Sequence, residues 1–200
     1  MLKYIYTCLS GVFLLMALAG CNQQASDKQF HATDITGADF GKDFRLTDHN
    51  GKVRTLADFK GKAVVIFFGY THCPDVCPTT LSDMTQALNL LGKDAQKVQV
   101  LFVTVDPARD SQALLANYVP AFNPDFLGLY GDEAATAKVA KEFRVFYQKH
   151  ERKNSESYEV DHTAGNFVFD QSGKLRLFMK YGQGAESIAH DLRALLMAQP

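Results

Sequence analysis

Two cysteines, Cys73 and Cys77, lie four residues apart in the segment Gly69-Tyr70-Thr71-His72-Cys73-Pro74-Asp75-Val76-Cys77-Pro78. At the start of a helix that spacing puts both sulfurs on one face, one turn apart. With a rise of about 1.5 Å per residue their Cα atoms fall about 6 Å apart, close enough for a disulfide or for joint ligation of one ion. A sulfur beside a helix N-terminus feels unpaired N–H groups and the positive end of the dipole, which favours thiolate. Thiolate is the nucleophile of disulfide exchange and also a ligand for soft metals. The pair is one residue wider than the C-x-x-C of thioredoxin-type redox motifs.

Two thiolates leave a metal site unfinished. Zinc asks for four ligands, or three in an open site, whereas Cu(I) accepts two or three soft ones. A third ligand is therefore sought among the six histidines. His31 falls in a polar tether, His49 in a turn, His150 in a charged loop and His190 in a closing helix, all read as solvated or structural. His72 adjoins Cys73, and consecutive side chains point in different directions. In Tyr158-Glu159-Val160-Asp161-His162, strand alternation puts Tyr158, Val160 and His162 on one side and Glu159 and Asp161 on the other. His162 thus points inward. On spacing alone a hydrogen-bonded core histidine is the commoner outcome there, with ligation as the alternative. Three carboxylates, Asp75, Asp106 and Asp161, are placed to act behind such a site. For Asp106 and its neighbour Arg109, capping of the following helix is the simpler role.

The elements that must position these residues read as an alternating α/β pattern. A hairpin runs from Phe44 to Leu56 around Asp48-His49-Asn50-Gly51. Ala63 to Phe68 and Val98 to Val105 are continuous apolar runs, as expected of strands covered on both faces. Leu81, Met84, Leu88 and Leu91 mark one face of a helix from about Pro78 to Leu91. Ser111 opens a helix that Pro120 ends, Phe126 to Tyr130 suggests a short strand, and Asp132 to Phe143 a further helix. Lys149 to Ser157 reads as a charged loop. Strands at Asn166–Phe169 and Leu175–Tyr181 precede a last helix from about Ala185 to Met197. The order points to a central mixed sheet with helices on both faces. The cysteine pair then sits where the first buried strand gives way to a helix, the usual place for a site in an open α/β sheet.

The chain of 200 residues suits one folded domain. With 21 basic and 22 acidic residues mixed along it and a net charge of −1, no basic stripe offers a nucleic-acid footprint. Lys3, the apolar run Val12 to Ala19, and small residues ending at Cys21 form a secretory leader, too short for a membrane span. Leu18-Ala19-Gly20-Cys21 resembles the bacterial lipoprotein signal, which implies lipidation of Cys21 and a domain held at a membrane surface. Expected boundaries are therefore 1–20 for the leader, 21–42 for a lipidated tether, and 43–200 for the domain. Only Cys73 and Cys77 remain in that domain, in a compartment that permits disulfides.

Three segments together carry a family resemblance. Tyr70 to Pro78, Val103-Thr104-Val105-Asp106-Pro107-Ala108-Arg109-Asp110 and Val160-Asp161-His162 resemble, in order and spacing, the Sco/SenC family. The resemblance runs from about Phe44 to the closing helix. It implies a thioredoxin-like three-layer fold, with the N-terminal hairpin and an insertion between residues 109 and 162. It implies copper bound as Cu(I) or Cu(II) by Cys73, Cys77 and His162. It also implies service in assembling the copper centre of cytochrome c oxidase, as copper donor to an oxidase subunit or as reductant of that centre's cysteines, from a membrane-anchored position on the periplasmic side of a bacterium. On this reading the protein is a metal-binding chaperone, with thiol–disulfide reduction left open as an enzymatic activity.

The alternative is an extracytoplasmic thiol–disulfide oxidoreductase, using Cys73 and Cys77 as its redox pair on partner cysteines. Redox members of the thioredoxin fold resemble one another in a cis-proline just before the strand facing the active helix. His162-Thr163-Ala164-Gly165 contains no proline, and the six prolines of the chain all lie elsewhere. That favours copper without excluding exchange.

Overall fold

The computed structural model describes residues 30–151 and 158–198. The leader, Cys21 and the charged stretch 152–157 lie outside the described residues.

The apolar run at residue 63 forms β4 (Ala63–Gly69), and all of it is buried. So is β9 (Gly165–Phe169), while β5 (Val98–Thr104) is buried except at Gln99. Such continuity needs cover on both faces, and consecutive side chains of β4 show it. Phe67 meets Phe102 and His162, whereas Phe68 meets Phe143 and Phe167 on the opposite face. The other strands are β1 (Thr33–Asp34), β2 (Leu46–Asp48), β3 (Val53–Arg54), β6 (Leu127–Tyr130) and β10 (Leu175–Lys180). They complete an eight-stranded sheet in the order β1-β10-β9-β4-β5-β6-β2-β3. β4, β5 and β6 are parallel neighbours; the remaining pairings are antiparallel, so the sheet is mixed as expected.

Helix α1 (Val76–Leu91) connects β4 to β5 and buries Leu81, Met84, Leu88 and Leu91, the face marked by spacing, together with Cys77. Leu81 and Met84 are fully buried, each contributing about 1.5–3 kcal/mol by removal from water. Gly92, at φ 59°, ends the helix in the left-handed region that glycine adopts readily. α2 (Gln112–Tyr118) starts where the Ser111 hydroxyl accepts from Leu114 N at 3.2 Å. α3 (Glu133–Glu142) starts where Asp132 accepts from Ala135 N at 2.7 Å. α4 (Ala185–Met197) packs along α1. Among the described residues no helix is long and apolar enough to cross a membrane.

Two expectations are revised. The tether does not extend to residue 42, because Phe30 is buried and β1 pairs with β10, Thr33 opposite Phe178. Lys149 to Glu151 belong not to a loop but to β7 (Tyr147–Glu151), which pairs with β8 (Tyr158–His162) as a separate two-stranded ribbon. Between residues 109 and 162, where an insertion was expected, β6 joins the sheet and β7 with β8 stands apart from it.

Two of the hairpins share one device. In Asp48-His49-Asn50-Gly51-Lys52-Val53-Arg54, the Asp48 carboxylate accepts from Asn50 N, Lys52 N and Arg54 Nε at 2.7–2.9 Å. In Asp170-Gln171-Ser172-Gly173-Lys174-Leu175-Arg176, Asp170 accepts from Ser172 N, Lys174 N and Arg176 Nη1 at 3.0–3.2 Å. Burial alone would raise both carboxyls. At Asp48 the Arg54 guanidinium and turn N–H groups outweigh it; at Asp170 the Ser172 hydroxyl, Lys174 N–H and Arg176 do. Both groups are held below the ordinary aspartate range.

Candidate metal centre

β4 delivers the chain into Tyr70-Thr71-His72-Cys73, and α1 begins three residues after Cys73. The first turn of α1 has an N–H to satisfy at Cys77 and none at Pro78. No side chain of Asp75 caps it; instead the Cys73 sulfur accepts from Cys77 N at 3.4 Å. Cys73 is half-buried and Cys77 fully buried, both as free thiols. The Cys77 thiol donating to Cys73 is the largest influence holding Cys73 well below the ordinary thiol range. Burial opposes that, while His162 and the N–H groups of Cys77 and Asp75 add to it. The same pairing, then burial, pushes Cys77 up. The two sulfurs titrate as a unit, with the anion resting on Cys73.

Gly69 makes the sulfur's position possible. A Cβ there would lie 2.9 Å from Cys77 Sγ, 2.9 Å from Phe102 Cε2 and 3.0 Å from Phe67 Cε1. Only glycine leaves room for Cys77 against the end of β4.

His162 ends β8, 85 positions beyond Cys77, with its Nε2 3.7 Å from Cys77 Sγ. Its ring stands edge-on to Phe67 and Tyr70, with centroids 6.2 and 6.0 Å away. Nδ1 lies 3.2 Å from the Thr163 carbonyl oxygen. A carbonyl accepts only, so Nδ1 carries a proton, and Nε2 is the ring nitrogen turned toward the sulfurs; in the neutral ring it bears the lone pair that a metal would take. The ligand atoms of Cys73, Cys77 and His162 all lie within 4.8 Å of one another. Atoms bound to one ion at about 2.0–2.3 Å stand about 3.3–4.6 Å apart, so the cluster has the span of a coordination site.

The loop after β5 fixes both halves of the cluster. Asp110, buried, accepts from Thr71 Oγ1 and Thr104 Oγ1 at 2.6 Å and from Thr71 N at 3.0 Å. That ties the cysteine loop to β5. Asp106, fully buried, accepts from Tyr158 Oη at 2.7 Å and pairs with Arg109. Arg109 also donates to the Tyr158 carbonyl at 2.9 Å and lies over the Tyr158 ring, 3.5 Å from its centroid. Burial first, then donation to Asp106, pushes the Tyr158 hydroxyl up to about 12. These contacts latch β8, and therefore His162, to the sheet.

The three predicted ligands thus come together. Of the carboxylates placed behind them, Asp75 supplies an N–H to Cys73 and sits at the start of α1. Asp106 and Arg109 do not cap α2, since Ser111 does; they hold the β8 ribbon. Asp161 is not brought to the cluster: it points outward and meets His150 Nε2 at 2.9 Å. His72 turns its Nδ1 toward Thr71 and Asp110 and does not join the cluster. Gly69, Asp110 and Tyr158 were missing from the sequence-derived site. Asp110 did stand inside the motif Asp106-Pro107-Ala108-Arg109-Asp110.

A family model described as SCO1/SenC matches residues 32–197. The chain belongs to the SCO1/SenC family. Among relatives of this SCO1/SenC chain is the bovine mitochondrial protein SCO2 homolog, 38% identical over 158 residues, covering 78% of this chain and 59% of that protein. ScoI from Bradyrhizobium japonicum, whose structure was solved with copper bound, is 43% identical at a TM-score of 0.72. The match covers 78% of this chain and 99% of that one. Yeast Sco1 with copper bound is 30% identical at a TM-score of 0.72, covering 80% of this chain and 91% of that one. The chain spans 59% of the length of the bovine and human SCO2 homologs and 62% of the mouse one.

Proposed function

We propose that this SCO1/SenC chain is a copper metallochaperone that holds Cu(I) or Cu(II) through Cys73, Cys77 and His162. The observation that carries the proposal is the convergence of two sulfurs and an imidazole nitrogen within 4.8 Å of one another. Two thiolates suit Cu(I), and an added imidazole makes Cu(II) acceptable. Copper is the cargo, and the residues' task is to hold and release it. The Thr163 carbonyl keeps Nε2 free, the Arg109–Asp106–Tyr158 latch holds the ring in place, and Gly69 lets Cys77 stand beside it. Loss of both thiols to a disulfide removes two donors, coupling loading to redox state.

The recipient is a cytochrome c oxidase subunit whose copper centre is being assembled, as the resemblance of the three sequence segments implies. The leader at 1–20 and lipidation at Cys21 place the domain on the periplasmic face of a bacterial membrane, a reading supported by Leu18-Ala19-Gly20-Cys21. The folded domain then takes up most of the chain after a tether that ends before Phe30.

Anaerobic titration of the reduced protein with Cu(I) against a competing chelator tests the central assignment. One equivalent should bind to the wild type and be lost in Cys73→Ser/Cys77→Ser; equal affinity in the two would remove the proposal.

One observation favours a second activity. Cys73 is half-buried, held as thiolate, and backed by a neighbouring thiol, as a nucleophile and its resolving partner must be. Reduction of a partner disulfide by this pair would leave Cys73 and Cys77 oxidised, with His162 adding only to the lowering of the Cys73 thiol. Retention of that exchange in His162→Ala alongside loss of copper binding would separate the two activities.

A further inference from the structure

A second cluster of metal-ligating side chains lies at the junction of the chain's first described residues and its last helix. One ring nitrogen of His31, one ring nitrogen of His190 and one carboxylate oxygen of Asp191 lie within 4.8 Å of one another. None of the three belongs to the sulfur cluster. The two imidazoles meet edge to face with centroids 4.5 Å apart, both on exposed residues. Asp191 lies in the middle of α4 with no exposed surface.

The hydrogen bonding at Asp191 assigns the parts. Its Oδ1 accepts from His31 N at 2.8 Å and its Oδ2 from Ala32 N at 2.7 Å and Gln183 Nε2 at 2.9 Å. His190 Nδ1 stands 3.1 Å from Oδ1. A carboxylate in this setting accepts, so Nδ1 of His190 carries the proton and its Nε2 keeps the free lone pair. Four donors fill the carboxylate's acceptor positions, which makes it a support rather than a ligand. It holds His190 by the ring and His31 by the backbone, fixing both imidazoles relative to one buried charge. Carboxylate behind histidine is the usual outer arrangement of a metal-bound imidazole, setting its tautomer and raising its basicity.

We propose that His31 and His190 form a second cation site, open to water at its remaining positions, for a borderline divalent ion of the Zn2+ or Cu2+ class. Imidazole nitrogen suits those ions, and a site without thiolate does not select Cu(I). An ion there ties the segment Phe30–Ala32 to α4, so binding favours the docked start of the domain.

The test uses the full chain with Cys8, Cys21, Cys73 and Cys77 replaced by serine, titrated with Zn2+ in a calorimeter. One equivalent should bind. His31→Ala or His190→Ala in that background should weaken it at least tenfold, and His162→Ala should leave it unchanged. No binding, or binding indifferent to both His31 and His190, would overturn the proposal. Should circular dichroism show the serine background unfolded, the Cys8→Ser/Cys21→Ser chain gives a second measurement. There, His190→Ala should lower the Zn2+ stoichiometry by one, and an unchanged stoichiometry would overturn the site.

Discussion

Gly69→Ala is the perturbation whose consequence follows most directly from the geometry. The added methyl would meet Cys77 Sγ and Phe102 Cε2 at 2.9 Å and Phe67 Cε1 at 3.0 Å. Comfortable non-bonded contact lies at about 3.5–4.0 Å, so each approach is too close by roughly half an ångström or more. The strand cannot retreat, because Gly69 is in register with Thr104 of β5 and its carbonyl accepts from Val105 N at 2.8 Å. Phe67 and Phe102 are buried and have no open space to swing into. The start of α1 must therefore move outward and carry Cys77 Sγ away from His162 Nε2, now 3.7 Å distant. Overpacking of this kind costs about 1–3 kcal/mol. Urea unfolding of the metal-free protein should show that loss. A Cu(I) competition titration should show affinity lowered about tenfold or more, since about 1.4 kcal/mol of misplaced ligand is a factor of ten. A variant with both wild-type stability and wild-type affinity would overturn the claim that this glycine seats the sulfur.

Tyr158→Phe removes the hydroxyl that donates to buried Asp106 and should cost about 1.5–3 kcal/mol in urea unfolding. Copper affinity should fall by less than in His162→Ala, because Arg109 still holds the β8 carbonyl; an unchanged unfolding curve would count against the latch. Asp48 and Asp170 have folded pKa values below the reference of 3.8, so the unfolded state binds protons first as pH falls. Their stabilisation is complete above that reference and is lost as pH drops through the lower folded values. Asp48→Asn/Asp170→Asn should be less stable at neutral pH and show a flatter decline below about pH 4 in urea midpoints. A decline as steep as the wild type's would show that other carboxyls govern the acid limb.

The parts of the fold carried by local pattern were legible in the sequence. β4 and β5 announced themselves as unbroken apolar runs, and α1 by the spacing of Leu81, Met84, Leu88 and Leu91. The inward aim of His162 followed from alternation, which the structure repeats: Val160 is buried and Asp161 exposed. What escaped depends on distant contacts. β7 carries Gln148, Lys149 and His150 on an exposed ribbon, so it has no apolar rhythm to read. β1 is two exposed residues whose backbone pairs with β10. Tyr158 reaches Asp106 across 52 positions, and the need for glycine at 69 arises only when α1 folds back against β4. The twinned hairpins are a different case: Asp-x-x-Gly-Lys-x-Arg is written at both 48–54 and 170–176, and the repetition gained meaning only from the shared hydrogen bonds.

His162→Ala bears most directly on the claim that a distant imidazole completes the sulfur pair. Two quantities are read from the same purified variant: Cu(I) affinity by chelator competition, and oxidation of Cys73 with Cys77 by thiol counting. Affinity should fall at least tenfold while the disulfide still forms. Undiminished copper affinity in a folded variant would contradict the account.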